Sequence, residues 1–259
     1  MFYKWRVLAL NNLFLKRVIR KINLLIGGKN KVDNVSLVRK YAPKKSFADI
    51  GSLWGVNGLN SFVAEEVGAK RVVSVDVYQA NKEFLEEKKK RNSKVEFVEG
   101  DINLSETTKK IGVCDVVLCS GVLYHTPDPV HLLTRLRSIT GETLILNTAS
   151  IPEMPGIRNG AIFYPFLSAE QRKIWNRKIG SQKSITGPYE PEEGYANWFW
   201  GLTPSVLESM LSCVGFEVTK RYITPFNSIF ICKAVAVKFT ASSGEWTTPK
   251  SGDSLKFRS

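Results

Sequence analysis

The stretch Phe47–Gly55, which reads FADIGSLWG, decides the fold prediction for this chain. Its first residues are mostly apolar, as in a short buried strand, and glycines follow at positions 51 and 55. Glycine at a strand-to-helix turn lets the backbone approach a bulky ligand closely. The spacing D-x-G-x-x-x-G differs from the G-x-G-x-x-G of dinucleotide-binding turns. By itself, the turn is equally compatible with another nucleotide site or with a purely structural role.

Short apolar runs alternate with helical stretches from this turn onward. The runs are Phe47–Ile50, Arg71–Asp76, Val95–Glu99, Cys114–Cys119 and Glu142–Asn147. The helical stretches lie near Asn57–Gly68, Ala80–Arg91 and Pro129–Ile139. Buried strands that alternate with helices predict a doubly wound α/β fold, in which helices cover both faces of a parallel sheet.

The segment Ala149–Gly201 interrupts this alternation, since it is rich in proline, glycine and aromatic residues. We interpret it as an insertion after the fifth strand that forms a lid over the carboxyl edge of the sheet, with one helix near Ser168–Lys178. A helix follows, with Thr203 as its N-cap, Pro204 in its first turn and Gly215 past its end.

The strand pattern ends in two β-rich runs, Phe216–Ile223 and Ser228–Val237, joined by a turn at residues 224–227. A closing hairpin after five strand–helix units is informative, because few doubly wound folds finish in this way. The remaining tail, residues 241–259, is rich in Ser, Thr, Gly and Lys, and its composition predicts disorder.

The first 28 residues form a separate basic region ahead of the domain predicted for residues 29–240. The chain has 259 residues and a net charge of +13, and residues 1–31 hold eight Lys or Arg and no acidic residue. Residues Tyr3–Ile26 predict an amphipathic helix, ended by Gly27 and Gly28. Its basic face beside an apolar face predicts binding to an anionic membrane surface; docking of the apolar face on the domain is the alternative.

Composition limits the cellular location and the cofactor classes. No run of the sequence approaches the roughly 20 apolar residues that span a bilayer, and no signal-peptide cleavage pattern is present. We therefore expect a cytoplasmic protein, with peripheral membrane attachment as the alternative. The four cysteines form no C-x-x-C pair, and the two histidines are too few for a histidine-rich metal site, so no metal is predicted.

Three acidic residues stand at or beside the ends of the first three strands: Asp49, Asp76 and Asp101. Because the carboxyl ends of parallel strands meet at one edge of a sheet, these side chains are expected to share that edge. Asp76 lies 25 residues after Gly51, where an acidic side chain accepts the ribose hydroxyls in many nucleotide folds. Any one of them could be a loop cap, but the set of three indicates a nucleotide-like ligand.

The fourth strand carries the most specific pattern, DVVLCSGVLYHTPDP at residues 115–129. Together with FADIGSLWG, it resembles motifs IV and I of class I methyltransferases, over about residues 45–237. It is closest to enzymes that modify wobble uridine of tRNA with a carboxymethyl group and to bacterial sugar and small-molecule O-methyltransferases. The resemblance implies a seven-stranded sheet of order 3-2-1-4-5-7-6, with the last strand antiparallel, and S-adenosylmethionine as the cofactor.

The resemblance also implies a set of cofactor-binding residues. Asp76 would accept the ribose hydroxyls, Asp101 the adenine amine, and Ile102 would pack on the adenine ring. The full predicted set is Asp49, Gly51, Ser52, Gly55, Asp76, Val77, Asp101, Ile102, Ser120 and Gly121.

His125 and Tyr124 are the candidate catalytic residues. An imidazole takes a proton readily near neutral pH, so His125 is predicted to be a general base; ordering of its loop is the alternative. Tyr124 would either contact the acceptor or pack. His131 is expected to be structural. The insertion's aromatic residues would line the acceptor pocket or pack on the sheet: Phe163, Tyr164, Phe166, Tyr195, Trp198, Phe199 and Trp200.

Three hypotheses cover the acceptor. The favoured one is O-methylation of a sugar or another small metabolite, which includes lipid-linked molecules. A tRNA-modifying enzyme is the alternative, supported by the net charge and by the GVLYH run at residues 121–125, but not by any recognised RNA-binding module. A catalytically silent scaffold is the third, and the intact acidic set argues against it.

Overall fold

A computed structural model describes residues 32–168, 170–171, 188–224 and 226–236. The predicted N-terminal helix, most of the predicted helix near Ser168–Lys178 and the tail from residue 241 lie outside the described residues. Within the described part of the chain, every helix is too short or too polar to cross a membrane.

Strands and helices alternate through the first half of the chain. The strands are β1 (Ser46–Ile50), β2 (Arg71–Asp76), β3 (Glu96–Glu99), β4 (Cys114–Ser120), β5 (Thr140–Ala149), β6 (Ala161–Phe163), β7 (Trp200–Leu202), β8 (Phe216–Thr224) and β9 (Asn227–Ala234). The α-helices are α1 (Asn34–Tyr41), α2 (Leu59–Glu66), α3 (Lys82–Lys90), α4 (Ser105–Ile111), α5 (Pro129–Ile139) and α6 (Pro204–Cys213). Two short 3-10 helices span Leu123–His125 and Pro191–Ala196.

Seven strands form the main sheet, in the order β3-β2-β1-β4-β5-β9-β8. The first five are mutually parallel, whereas β9 runs antiparallel to both β5 and β8. Since β8 and β9 are the sixth and seventh strands of this sheet, the predicted order 3-2-1-4-5-7-6 and the antiparallel last strand are confirmed. Strands β6 and β7 pair separately, within the insertion.

The sheet is buried on both faces, because successive residues of its central strands enter different hydrophobic clusters. In β4, Val117 and Cys119 pack in one cluster, and Val116 and Leu118 pack in the other. This period of two is the geometry of an extended strand. It explains why the central strands read as nearly continuous apolar runs instead of alternating ones. Three of the four cysteines, Cys114, Cys119 and Cys232, are buried, and Cys213 is exposed.

The sequence prediction missed α1, α4 and the small β6–β7 pair. Helix α1 buries only Leu37 and Val38, so its apolar stripe is narrow; a capping box between Asp33 and Ser36 marks its start. Helix α4 buries Thr107 and Thr108, and these β-branched residues have a low helix propensity, so the sequence gives little sign of this helix. Strands of three residues are too short to display an alternating pattern.

A buried arginine ties the closing hairpin to the sheet's helical layer. Arg137 of α5 donates from Nε to the Gly215 carbonyl oxygen (3.0 Å) and from Nη2 to the Val235 carbonyl oxygen (2.9 Å). Burial lowers the pKa of this guanidinium, but the carbonyl oxygens that accept from it compensate its desolvation. The ends of β8 and β9 are thereby fixed against α5.

Candidate active site

A cleft of about 1040 Å³ opens along the carboxyl ends of β1, β2, β3 and β4. In open α/β sheets this edge is where ligands bind. The sheet contributes the floor, and the insertion contributes part of the opposite wall. Predicted site residues that line the cleft are Gly51, Gly55, Asp76, Val77, Asp101, Ile102, Ser120, Gly121, Tyr124 and His125.

The turn after β1 requires its glycines. Gly51 has φ +79°, and a Cβ there would lie 2.4 Å from a methyl carbon of Val122. No residue other than glycine fits this close contact between the first turn and the loop after β4. Gly55 also has a positive φ, of +72°, but a Cβ there would meet no atom within 4 Å, so its role is conformational. Both glycines line the cleft.

Asp76, the last residue of β2, holds its carboxylate at the cleft in a fixed orientation. One oxygen accepts from the backbone nitrogen of Leu53 (2.9 Å), and the other accepts from that of Tyr78 (3.1 Å). Each carboxylate oxygen has a second lone pair. The fixed carboxylate therefore fits two vicinal hydroxyls, such as those of a ribose.

Asp101 follows β3 and is held by donors from two parts of the chain. Its Oδ1 accepts from the backbone nitrogen (2.9 Å) and the side-chain Nδ2 (3.0 Å) of Asn103. Its Oδ2 accepts from the hydroxyl of Tyr195, which belongs to the insertion. Ile102 beside it is buried and joins the core, so it presents an apolar surface suited to a flat ring.

Two predicted cofactor residues, Asp49 and Ser52, do not line the cleft. Ser61 of α2 donates to Asp49 Oδ2 (2.9 Å), and Ser74 of β2 donates to the Ser52 hydroxyl (2.7 Å). Both side chains thus lie beneath the turn and hold it against neighbouring elements. Their contact with a cofactor stays a prediction, and the position of the two side chains indicates that any such contact would be indirect.

Asp49 is an unusual carboxyl group because it is fully buried and only one of its two oxygens, Oδ2, accepts a hydrogen bond from a described residue. Among the described residues, none donates a hydrogen bond to its Oδ1. Burial raises its pKa to about 7, with a smaller increase from the Asp76 charge, and the hydrogen bonds from Ser61 only partly oppose this rise. The group therefore titrates near neutral pH.

A chain of amide side chains, which the sequence reasoning missed, connects Ser120 to the closing hairpin. Asn227 donates to Asn147 (2.9 Å), Asn147 donates to Asn34 (2.8 Å), and Asn34 donates to the Ser120 hydroxyl (2.9 Å). Asn34 lines the cleft although it belongs to α1, far from every recognised motif. These contacts join residues 86, 113 and 80 positions apart, and no local pattern marks them.

His125 presents one ring nitrogen to a partner and leaves the other available. Its Nδ1 lies 2.8 Å from the carbonyl oxygen of Asn197. A carbonyl can only accept, so Nδ1 carries the proton and, in the neutral ring, Nε2 carries the lone pair. No described residue hydrogen-bonds to Nε2. Burial lowers the pKa of His125, and the bond to Asn197 opposes this only in part, so the ring is neutral at pH 7.

Asn197 supports His125 and was also missed by the sequence reasoning. Its side chain is buried and closes a turn on itself: Nδ2 donates to the carbonyl oxygens of Glu190 (2.7 Å) and Gly194 (3.0 Å). Its Oδ1 accepts from the backbone nitrogen of Glu190 (3.0 Å). The carbonyl that holds His125 is therefore itself rigidly held.

Aromatic rings form the wall beside His125. The ring centroid of Tyr124 lies 4.2 Å from those of both His125 and Trp198. Burial raises the pKa of Tyr124 to about 12, so its hydroxyl stays protonated near neutral pH and can donate. The sequence left open whether the seven aromatic residues line a pocket or pack on the sheet, and of these Tyr195 and Trp198 line the cleft. Of the other five, Trp200 packs against the main hydrophobic core. The rest pack within the insertion or are exposed, as Phe166 is (84%).

The cleft is acidic although the chain is basic. Four carboxylate residues line it, namely Asp76, Asp101, Glu192 and Glu193, and the described residues of the lining include no Lys or Arg. In the described part of the chain, no three His, Cys, Asp or Glu side chains are grouped so that they could hold a metal ion.

Comparison with known proteins agrees with this architecture. The family model described as "Methyltransferase domain" matches residues 49–141, which run from the end of β1 into β5. No curated protein matches the chain.

Solved structures share the fold at low identity. The N-terminal domain of EvdMO1, with SAH bound, is 16% identical with a TM-score of 0.53, over 78% of this chain and 80% of that one. The 1,6-didemethyltoxoflavin-N1-methyltransferase of Burkholderia thailandensis is 14% identical, with a TM-score of 0.54, over 90% and 89%. The magnesium protoporphyrin IX methyltransferase of Synechocystis PCC 6803 is 16% identical, with a TM-score of 0.50, over 85% and 99%.

The raised pKa of Asp49 predicts a specific pH dependence of stability. A carboxyl with a folded pKa of about 7 and an unfolded pKa of about 3.9 binds more protons in the folded state between these values. Its contribution therefore falls as pH rises from about 4 to 7, by on the order of 3 kcal/mol. Asp49→Asn removes this titration. Urea unfolding at pH 4.5, 6 and 8 should show the variant gaining stability relative to the wild type as pH rises. A constant difference between the two proteins would contradict the assignment.

Proposed function

We propose that this chain, which carries a class I, S-adenosylmethionine-dependent methyltransferase domain, transfers the methyl group to a hydroxyl of a small, uncharged molecule such as a sugar. The observation that carries the proposal is the state of His125. It lines the cleft as a neutral imidazole, with Nδ1 hydrogen-bonded to Asn197 and Nε2 available to a molecule in the cleft. This is the state that a general base requires.

The residues over β1, β2 and β3 fit the cofactor. The glycine turn allows close approach, Asp76 offers two oriented oxygens for the ribose hydroxyls, and Asp101 and Ile102 suit the adenine ring. When bound, S-adenosylmethionine supplies a methyl group on a positively charged sulfur. The carboxylates of the lining and the aromatic rings beside His125 both favour a cation.

The remaining half of the cleft, over β4, suits the acceptor. His125 Nε2 would take the proton of the acceptor hydroxyl as its oxygen bonds to the methyl carbon. The bond from that carbon to the cofactor's sulfur would break at the same time, its electron pair would stay on sulfur, and neutral S-adenosylhomocysteine would leave. The Asn197 carbonyl, which accepts from Nδ1, would stabilise the resulting imidazolium. The proton then leaves to solvent and restores the neutral ring. Tyr124 stays protonated and can donate a hydrogen bond to the acceptor, but it is not a base.

The charge of the cleft favours an uncharged acceptor over RNA. Nucleic-acid binding depends on Lys and Arg that neutralise phosphates, whereas the described lining includes the carboxylates of Asp76, Asp101 and Glu192 and neither cation. Solved neighbours act on or were crystallised with small molecules: 1,6-didemethyltoxoflavin, magnesium protoporphyrin IX and, for the EvdMO1 domain, D-fucose. These observations support a small-molecule acceptor; the tRNA alternative has no comparable support at the cleft.

Removal of the His125 side chain should separate catalysis from cofactor binding. We expect His125→Ala to lower turnover by about 100-fold or more while S-adenosylhomocysteine affinity stays within about twofold. Turnover is measured as transfer of labelled methyl to small-molecule fractions of a cell extract. In the wild type, activity should rise with pH through a pKa below 6.5, because burial lowers that of His125.

Tyr124→Phe is the matched variant on the same 3-10 helix, and it should lose no more than about tenfold in turnover. Parallel, modest losses of turnover and cofactor affinity in His125→Ala would instead assign His125 to loop ordering. Label that appears in RNA and not in small molecules would contradict the proposed acceptor class.

A second proposal concerns residues 1–28, whose basic and apolar faces fit an anionic membrane surface. Attachment of the protein to such a surface would bring its cleft near membrane-associated acceptors.

Vesicle binding tests this surface role. Replacement of Lys16, Arg17, Arg20 and Lys21 by Gln should weaken binding to phosphatidylserine-containing vesicles by about 100-fold or more, at about 1 kcal/mol per cation. The control replaces Lys82, Lys89, Lys90 and Lys94 by Gln and carries the same net charge. Equal binding of the two variants would contradict a specific role of residues 1–28.

A further inference from the structure

One turn of the insertion, residues 190–198, contacts both halves of the cleft. At one end, the Tyr195 hydroxyl donates to the Asp101 carboxylate. At the other, the Asn197 carbonyl oxygen accepts from His125 Nδ1 (2.8 Å), and the Trp198 ring packs on Tyr124. A single short segment therefore bridges the adenine end and the proposed base.

We infer that Tyr195 is a cofactor-positioning residue, whose hydroxyl shares the Asp101 carboxylate with the adenine amine. Cofactor binding and the ordering of His125 are coupled through the turn that carries both Tyr195 and Asn197. This inference rests on the proposed cofactor site, and it assigns to the acceptor-side insertion a role in binding the cofactor.

The Asp101 carboxylate has enough lone pairs to accept from the Tyr195 hydroxyl and from the adenine amine at the same time. A carboxylate offers about four acceptor positions. Two on Oδ1 are used by the backbone nitrogen and Nδ2 of Asn103, and one on Oδ2 is used by Tyr195. The fourth position, on Oδ2, is used by no donor among the described residues, and Asp101 lines the cleft. One more donor can therefore bind while Tyr195 stays in place.

Tyr195 is suited to act as a permanent donor. Partial burial and the neighbouring Asp101 charge raise its pKa to about 12, so the hydroxyl keeps its proton throughout the physiological range. Asn103 Nδ2 lies 3.5 Å from the Tyr195 oxygen. Because both residues also contact Asp101, the three side chains form one polar group at the edge of β3.

Hydrogen bonds within the turn hold residues 190–197 together, so a displacement at one end moves the other end. The Asn197 side chain bonds back to Glu190 and Gly194, on either side of Pro191. Phe199 just beyond the turn donates its backbone N–H to the Tyr124 carbonyl oxygen (2.9 Å). Fixing Tyr195 therefore restricts Asn197, and through it the orientation of His125. Linkage requires the reverse effect to be equally large.

Calorimetry with S-adenosylhomocysteine tests the shared carboxylate. Tyr195→Phe should raise the dissociation constant about tenfold, whereas Tyr189→Phe, elsewhere in the insertion, should change it less than twofold. In a double-mutant cycle, adding Tyr195→Phe to Asp101→Asn should cost less than twofold more, because the shared partner is already altered. Unchanged or tighter binding by a folded Tyr195→Phe variant would overturn the inference.

Hydrogen exchange tests the coupling to the base. In the wild type, saturating S-adenosylhomocysteine should slow exchange of the Asn197 and Phe199 amides at least fivefold; in saturated Tyr195→Phe the change should be less than twofold. Equal slowing in both proteins would overturn the coupling. The proposed function fails separately, since it would be the wild type that did not bind S-adenosylhomocysteine at all.

Discussion

The parallel register of β1 with β2 and β4 is the constraint on which the site depends. It pairs Ile50 with Val75 on one side and with Cys119 on the other. Gly51, Asp76 and Ser120, the residues next in sequence, therefore meet at a single edge of the sheet. A shift of one residue in any of these pairings would turn the side chains to the opposite face. The buried period-two packing of both faces makes such a shift costly, so the core of the domain fixes the geometry of the cleft.

The insertion supplies the hydrogen-bond partner that sets the protonation pattern of His125. The loop after β4 places Tyr124 and His125 at the cleft, but the protonation pattern of His125 is set by Asn197, 72 residues later. All described hydrogen bonds of the Asn197 side chain are made within its own turn. The backbone carbonyl of Asn197 is therefore held rigidly, directed at the imidazole. The sheet thus positions the proposed cofactor residues, and the insertion sets the state of the proposed base. Acidic and aromatic residues line the cleft, whereas the chain as a whole has a net charge of +13.

Local pattern was enough to predict the architecture and to name most of the candidate cofactor residues that line the cleft, because strand ends, glycine turns and acidic termini are encoded by neighbouring residues. The burial of Asp49 and Ser52 beneath the turn was not predictable, since a motif gives a position and not the direction of a side chain. Asn34 was not predicted as a site residue, Tyr195 was predicted only as an aromatic residue of the insertion and not as a partner of Asp101, and Asn197 was not predicted, all for another reason. Their partners lie 86, 94 and 72 positions away, and a single sequence carries no signal for such pairs. Helices α1 and α4 escaped because each buries too few apolar residues to show a stripe.

Asp76 provides the most direct test of whether the cleft binds S-adenosylmethionine. The carboxylate is held by the backbone nitrogens of Leu53 and Tyr78, so its oxygens keep their orientation with or without a ligand. Calorimetry should show S-adenosylhomocysteine binding at one site of the wild type. Asp76→Ala should weaken that binding by about 30- to 150-fold, or about 2–3 kcal/mol, the cost of losing a bidentate charge-assisted contact. An Asp76→Ala variant that melts cooperatively yet binds with wild-type affinity would contradict the assignment of the cleft.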